Sequence, residues 1–185
     1  VLQLLQRVQG VLPVADEAIA KGLQHVVHAG RLQSVRVGAQ QWLLDVAHNP
    51  QSAGALAGYL ASLHPAPRFD AVFSVLNDKD CVPMIAQIAP WVERWLIADL
   101  QVPRATPVAD LHALLLQAGV AEQQIVECSS IEQAIDMARQ QTGHNILVWG
   151  SFFTVSQAMQ ALDEQVGRPA LQPSSQSRAA KPYSV

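Results

Sequence analysis

The sequence predicts an α/β fold, with a mainly parallel sheet of five or six strands and helices on both faces. Short apolar segments alternate along the chain with stretches of about ten residues whose apolar side chains recur at helical spacing. Several of the short segments are continuously apolar, as strands covered on both faces are. The chain has 185 residues, of which 50% are hydrophobic, and this is enough to bury the core of one domain.

Residues 1–29 are predicted to be helical. Apolar residues recur at helical spacing from Leu2 to Leu12, and Pro13 suits the first turn of a second helix. Gly30 is a suitable stop for that helix. The chain starts inside an amphipathic pattern and without a methionine, which leads us to expect a piece of a longer protein.

From residue 31 the apolar period changes to that of strands, with a turn at Gly38. The bounds of the remaining predicted helices and strands are set by their apolar residues. Strands are predicted at 35–37, 42–46, 71–76, 95–98, 124–127 and 145–149, and helices at 53–63, 82–89, 108–118, 131–138 and 155–166. The tail at residues 167–185 is rich in Pro, Ser, Gln and Ala and is predicted to be disordered.

Composition argues against several classes of protein. Charged residues make up only 15% of the chain and the formal net charge is −3, so we expect no nucleic-acid partner. No apolar run reaches the roughly 18 residues of a membrane span, so we expect no membrane association. Cys81 and Cys128 are too few for a disulfide framework and lack the spacing of metal ligands. A reducing, cytoplasmic setting is therefore expected.

Three predicted strands end in polar segments, at residues 45–50, 77–80 and 150–154. In an open parallel sheet, ligands bind outside the carboxyl ends of the strands. All three segments could therefore face one crevice that contains carboxylates, an imidazole, an ammonium group and hydroxyl groups. The sequence predicts a polar ligand site at this edge.

Each polar residue also has a purely structural interpretation. Asp45 could end a strand, His48 could be a surface histidine, and residues 77–80 could be a solvated loop that caps a helix. Ser151 or Thr154 could be the N-cap of the last helix. The occurrence of all these residues at matching strand ends favours a binding site.

Motifs of three enzyme classes are missing from the sequence. The chain has no Gly-x-Ser-x-Gly nucleophile elbow and no Gly-x-Gly-x-x-Gly dinucleotide fingerprint. It also has no Gly-x-x-x-x-Gly-Lys-Ser/Thr loop for nucleotide phosphates. The residues alone thus predict an α/β module with a polar crevice and without a phosphate-binding loop of its own.

Four segments carry a resemblance to a known family. They are GRLQ at 30–33, LDVAHNP at 44–50, LNDKD at 76–80 and WGSFFTV at 149–155. Together they resemble the C-terminal part of the bacterial folylpolyglutamate synthase/dihydrofolate synthase family, in the Mur ligase superfamily. The resemblance implies that residues 1–29 end the family's central ATPase domain and that residues 30–166 form its Rossmann-like C-terminal domain.

The resemblance implies an ATP-dependent ligase that joins L-glutamate to dihydropteroate or (tetrahydro)folate through an acyl phosphate. ATP would be a co-substrate, with Mg²⁺ bound mainly by the upstream ATPase domain, which would be the chain's partner. By motif, Arg31 would contact the ATP phosphates and Asp45 the nucleotide, through its ribose hydroxyls. His48 would lie between the nucleotide and glutamate, and Ser151 and Lys79 would contact the glutamate. The resemblance assigns no catalytic residue and no metal ligand in this chain.

One residue departs from the family pattern. Phe153 stands where the family often has histidine, so an apolar ring replaces one that can donate a hydrogen bond. The family's P-loop, Mg²⁺ ligands and most of its folate pocket lie in upstream sequence. The isolated chain is therefore expected to lack ligase activity, and the full-length protein is expected to be a monomer.

Two alternative functions remain open from the sequence. One is a non-catalytic α/β module that binds a ligand or a partner, and an open reading frame upstream that encodes a P-loop would argue against it. The other is the C-terminal domain of a cell-wall Mur ligase, against which the segment at residues 45–50 speaks.

Overall fold

A mixed sheet forms the centre of the computed structural model, which describes residues 7–11, 13–25, 28–141, 143 and 145–166. The six strands are β1 (Gln33–Val37), β2 (Gln40–Asp45), β3 (Phe69–Phe73), β4 (Val92–Ala98), β5 (Ile125–Cys128) and β6 (Asn145–Trp149). Their order across the sheet is β1-β2-β6-β3-β4-β5. The predicted α/β fold class is confirmed.

The strand directions follow from the lengths of the connections. β1 and β2 are antiparallel, because a two-residue turn joins them and Gly38 adopts there the positive φ of 60° that tight hairpins require. All other neighbouring strands are parallel, because a helix connects each strand to the next. The last strand, β6, lies between β2 and β3.

The helices are α1 (Asp16–His25), α2 (Pro50–Ser62), α3 (Cys81–Ile88), α4 (Val108–Gln117), α5 (Ile131–Gln140) and α6 (Phe152–Val166). Those from α2 onward cover both faces of the sheet. One buried core contains apolar residues of α5 and α6, and the other contains those of α2, α3 and α4. Alternate residues of a strand enter opposite cores: Leu147 packs under α2–α4, whereas Val148 packs under α5 and α6.

Most predicted boundaries after residue 31 differ from the observed ones by one to three residues, and two of the larger differences are explained by burial. The strand predicted at 71–76 ends at Phe73, because the next residues pair elsewhere: Leu76 bridges to Ala105 and the Val75 carbonyl accepts the Thr106 N–H. Val75 and Leu76 are buried although they lie outside the strand, which explains why the apolar run in the sequence continues to residue 76. The last helix begins at Phe152, before the predicted start at 155, because the Ser151 hydroxyl accepts the Thr154 N–H and caps the helix there. Its first two residues are exposed and so lie outside the buried apolar stripe from which the start was predicted.

The N-terminal and C-terminal predictions are tested only in part. α1 begins at Asp16, three residues after the proline predicted to open it. The predicted apolar positions Leu2, Leu5, Leu12 and Val26 lie outside the described residues, as does the predicted tail at 167–185. None of the helices in the described ranges has the length and apolar character that crossing a membrane requires.

Gly150, directly after β6, is the tightest point of the sheet edge. Its φ of 114° is unfavourable for other residues. A Cβ atom at this position would clash with the Ser74 carbonyl oxygen and would lie 2.8 Å from the ring of Phe73. The chain between β6 and α6 can therefore follow this path only with glycine.

We expect Gly150→Ala to lower the free energy of unfolding by about 2–4 kcal/mol, since it combines backbone strain with overpacking. The control is Gly58→Ala in α2, where an added Cβ meets nothing within 4 Å and should stabilise by about 0.5–1 kcal/mol. Urea unfolding of both variants measures the difference. Equal stability of the two variants would contradict this account of Gly150.

Candidate functional site

The candidate site lies at the carboxyl ends of β2, β6 and β3. Trp149, the last residue of β6, pairs with Asp45 at the end of β2 and with Phe73 at the end of β3. Since these three strands are neighbours, the segments that follow β2 and β6 leave the sheet side by side. This arrangement brings together two of the three polar segments noted in the sequence.

The segment before β1 reaches the same edge through a strained loop. Gly30 has a φ of 71° and Leu32 a φ of 43°, both in the left-handed region. The Gly30 carbonyl accepts the Val46 N–H at 2.7 Å, and the Gly30 N–H donates to the side-chain oxygen of Gln33 at 2.7 Å. Glycine adopts the left-handed region without strain, whereas Leu32 does not. Arg31 lies between these two residues and is exposed. The loop thus presents Arg31 at the end of β2.

Asp45 joins this loop to the end of β2. Its side chain is only 9% exposed. One carboxylate oxygen accepts the Leu32 N–H at 2.8 Å, and the other accepts the Ala47 N–H at 2.8 Å. A carboxylate has about four lone-pair positions, so two remain for a ligand that donates hydrogen bonds.

The environment of Asp45 acts on its pKa in opposite directions. Burial raises the pKa above its ordinary value and is the largest effect. The two backbone N–H groups and the positive charge of Arg31 act to lower the pKa, without reversing the effect of burial. A ligand hydroxyl group that donates to this carboxylate would therefore relieve an unfavourable burial of charge.

His48 is held at the start of α2. Its Nδ1 lies 2.8 Å from the Val46 carbonyl oxygen, which can only accept, so Nδ1 carries the proton. Nε2 is then the ring atom that can accept a hydrogen bond from a ligand. Asn49 caps the helix by accepting the Ser52 N–H, and Pro50 occupies the first turn.

Ser151 is the N-cap of α6, because its hydroxyl oxygen accepts the Thr154 N–H at 3.0 Å. The Thr154 hydroxyl donates to the Ser74 carbonyl at 2.6 Å. The Ser151 hydroxyl, 2.8 Å from that of Thr154, must therefore be the donor in their contact. Ser151 is buried and keeps one acceptor position. The structural role left open for Ser151 is real, whereas Thr154 is not the cap.

Lys79 belongs to a different group of charges, in the loop after β3. Its ammonium group lies 2.9 Å from the Asp78 carboxylate, and Arg104 lies 3.8 Å from the same carboxylate. The hydrogen bond from Lys79 is the main cause of the lowered pKa of Asp78. The positive charge of Lys79 is thus already paired with the carboxylate of the preceding residue.

Phe152, the first residue of α6, lies in this edge although no motif assigned it a role. Its ring centroid lies 5.8 Å from the Arg31 guanidinium carbon and 5.8 Å from the His48 ring centroid. The available signal was an aromatic residue directly after the polar Gly150–Ser151 pair. The structure therefore brings Arg31, Asp45 and His48 together with Phe152, with Ser151 next along the chain.

Within the ranges that the structure describes, no group of three or more His, Cys, Asp or Glu side chains is arranged to hold a metal ion. The donor set of a resident metal is not found among these residues.

Most residues of this edge lie within a segment that matches a known protein family. Residues 30–152 match the model of the Mur ligase, glutamate ligase domain. The chain belongs to this family. The matched residues extend from Gly30 to Phe152, so they include Arg31, Asp45, His48, Lys79, Ser151 and Phe152.

Curated relatives of this Mur ligase domain share about a third of its residues. The dihydrofolate synthase/folylpolyglutamate synthase of Escherichia coli is 34% identical over 154 residues, which cover 82% of this chain and 35% of the relative. The enzyme of the same name from Mycobacterium tuberculosis is 33% identical over 66% of this chain and 25% of its own length. The chain thus spans about a third or less of these relatives, in their C-terminal part.

Solved structures of similar proteins show the same fold. Escherichia coli FolC in complex with DHPP and ADP superimposes with a TM-score of 0.71 at 31% identity, over 84% of this chain and 36% of that chain. A folylpolyglutamate synthase/dihydrofolate synthase with Mn, AMPPNP and L-glutamate bound gives a TM-score of 0.70 at 35% identity, over 82% and 36%. The expected Rossmann-like, Mur ligase type of C-terminal domain is confirmed.

The hydrogen bonds to Asp45 can be tested by paired substitutions. Asp45→Ala removes the acceptors of two N–H groups, each of which costs about 1–3 kcal/mol when left buried without a partner. Asp45→Asn keeps one oxygen and should lose about half as much stability. Guanidinium unfolding measures both losses, and equal losses for the two variants would argue against the arrangement described.

Proposed function

We propose that this chain is the nucleotide- and glutamate-contacting C-terminal domain of an ATP-dependent ligase that adds L-glutamate to dihydropteroate, (tetrahydro)folate or both. One observation carries the proposal: Arg31, Asp45 and His48 converge at the carboxyl edge of a Mur ligase domain. The named relatives are dihydrofolate synthase/folylpolyglutamate synthases, which supports a pteroate or folate acceptor over a cell-wall precursor.

Arg31 and Asp45 are the proposed nucleotide contacts. The exposed guanidinium group of Arg31 can donate two parallel hydrogen bonds to phosphate oxygens. The two unused lone-pair positions of Asp45 suit the vicinal hydroxyls of a ribose. Solved relatives in complex with ADP and with AMPPNP support a nucleotide as a ligand of the complete enzyme.

His48, Ser151 and Lys79 are the proposed glutamate contacts. His48 Nε2 and the remaining acceptor position of Ser151 can each accept a hydrogen bond from the ammonium group of glutamate. Lys79 would supply positive charge for a glutamate carboxylate, in competition with Asp78, to which it is paired. The relative that contains L-glutamate supports this choice of amino acid.

The proposed reaction has two transfers. A substrate carboxylate oxygen attacks the γ-phosphorus of ATP, which releases ADP and gives an acyl phosphate. The glutamate ammonium group loses one proton to solvent, and the resulting amine nitrogen attacks the acyl carbon. The carbon–oxygen bond to phosphate breaks, and the nitrogen loses its second proton to the released phosphate or to solvent as the amide forms. This chain would orient the nucleotide and the amine and exclude water from them.

The remaining machinery would lie outside this chain. Its sequence has no phosphate-binding P-loop, and its described residues offer no metal-binding group, so we assign Mg²⁺ mainly to an upstream ATPase domain. Residues 30–166 would close over that domain, and residues 1–29 would be its helical end. In this proposal the ATPase domain is the chain's principal protein partner, and the complete protein is a monomer.

The chain is expected to bind ADP at this edge, and Arg31→Ala is expected to weaken binding about tenfold through the loss of a charged hydrogen bond. Calorimetric titration with ADP and Mg²⁺ measures the dissociation constant. Arg36→Ala, which removes the same charge from an exposed position of β1, should leave it unchanged. An identical loss in both variants would show that only net charge matters.

The chain alone is expected to have no ligase activity, because the P-loop is not among its residues. An assay of ATP- and glutamate-dependent ligation to dihydropteroate or tetrahydrofolate checks this, and product formation would overturn it.

For a positive test, residues 30–166 can replace the matching segment of the Escherichia coli relative. That chimera should restore growth of a strain without dihydrofolate synthase, and Arg31→Ala or Ser151→Ala in it should reduce growth.

A further inference from the structure

Phe152 is a large apolar side chain that the fold does not bury. It is 54% exposed, although burial of such a ring is worth about 1.5–3 kcal/mol. A single exposed apolar residue is ordinary. Phe152 is distinguished by its two neighbours, the guanidinium group of Arg31 and the imidazole of His48, which come from two other segments of the chain.

We propose that Phe152 is a positioning residue that holds Arg31 and His48 in a fixed relation to each other at the nucleotide edge. The proposal rests on the proposed function, since it assumes that these two side chains contact the substrates. It adds a residue that the motif comparison did not assign, and it gives that residue a physical task.

The contact with Arg31 is of the cation–π kind. The guanidinium carbon lies 5.8 Å from the centroid of the Phe152 ring, within the roughly 6 Å over which a ring face attracts a cation. Arginine has several rotatable bonds and loses about 2 kcal/mol of rotamer entropy when it is fixed. A ring that restrains the guanidinium group before a ligand binds reduces the entropy that binding must remove.

The contact with His48 completes the restraint of the imidazole. Its Nδ1 is fixed by the Val46 carbonyl, but one hydrogen bond leaves the ring free to tilt about that atom. The Phe152 ring lies against it at a centroid distance of 5.8 Å and an interplanar angle of 46°. The two contacts together set the direction of Nε2.

Phe152 can restrain its neighbours because its own backbone is held firmly. It follows Ser151, whose hydroxyl accepts the Thr154 N–H and so fixes the first turn of α6. The Thr154 hydroxyl ties this turn to the Ser74 carbonyl, and Gly150 fits closely against Ser74 and Phe73. The backbone after β6 therefore holds Phe152 in a fixed position, and the Phe152 ring in turn restrains the two polar side chains.

The test compares Phe152→Leu, Phe152→Tyr and Phe153→Leu in the 185-residue chain by NMR and calorimetry. In Phe152→Leu the NMR order parameters of the Arg31 side chain and the His48 ring should fall, because the ring that restrains both groups is lost. Phe152→Tyr keeps a ring and should retain them, and Phe153→Leu, which removes the adjacent exposed ring, should retain them too. Unchanged signals of the buried Trp42 and Trp149 indoles check that each variant is folded.

ADP with Mg²⁺ is the binding probe. Phe152→Leu should weaken its binding about two- to fivefold, the effect of losing an exposed cation–π contact, and Phe152→Tyr should restore it. Unchanged order parameters of Arg31 and His48 in Phe152→Leu, or unchanged ADP affinity, would overturn the proposal. If the unsubstituted chain binds no ADP, the proposed function fails, whereas the NMR comparison still decides whether Phe152 orders its two neighbours.

Discussion

The buried carboxylate of Asp45 is the interaction on which the candidate site depends. It accepts N–H groups from Leu32, before β1, and from Ala47, after β2. A single side chain therefore joins the strained loop that presents Arg31 to the segment that presents His48. Without these two hydrogen bonds, the loop would lose its main side-chain anchor at the end of β2.

Several residues of the site combine a structural task with the proposed binding task. Ser151 starts α6 and His48 bonds back to Val46, so each is oriented before any ligand arrives. Preorganisation of this kind reduces the entropy that binding must remove. The same residue types therefore have both a structural and a functional interpretation in the sequence. Ser151 does cap α6 and Asp45 does end β2, and the proposed binding roles are compatible with these structural roles.

Much of the fold could be predicted because apolar periodicity reflects burial. The strand at residues 145–149 was predicted with the bounds that the structure gives. Periodicity cannot distinguish a strand from a buried extended segment, and this is why Val75 and Leu76 were assigned to β3. It also carries no information about strand order, so the place of β6 between β2 and β3 could not be foreseen.

The site itself was less predictable than the fold. Motif resemblance indicated Arg31, Asp45, His48, Ser151 and Lys79, but it contains no geometry. The ion pair between Lys79 and Asp78 and the place of Phe152 between two polar side chains depend on side-chain directions that only the folded chain defines. The roles of all five residues in binding stay predictions.

The central place of β6 has a consequence for how the domain is made. A ribosome releases the chain from its N-terminus, so β6 emerges after the other five strands, although it separates β2 from β3. Until residue 149 is available, the hairpin of β1 and β2 has no neighbour in the sheet, and one long edge of β3 is unpaired. Such an edge is open to pairing with another chain. The nascent protein is thus most prone to aggregation just before its last strand closes the sheet.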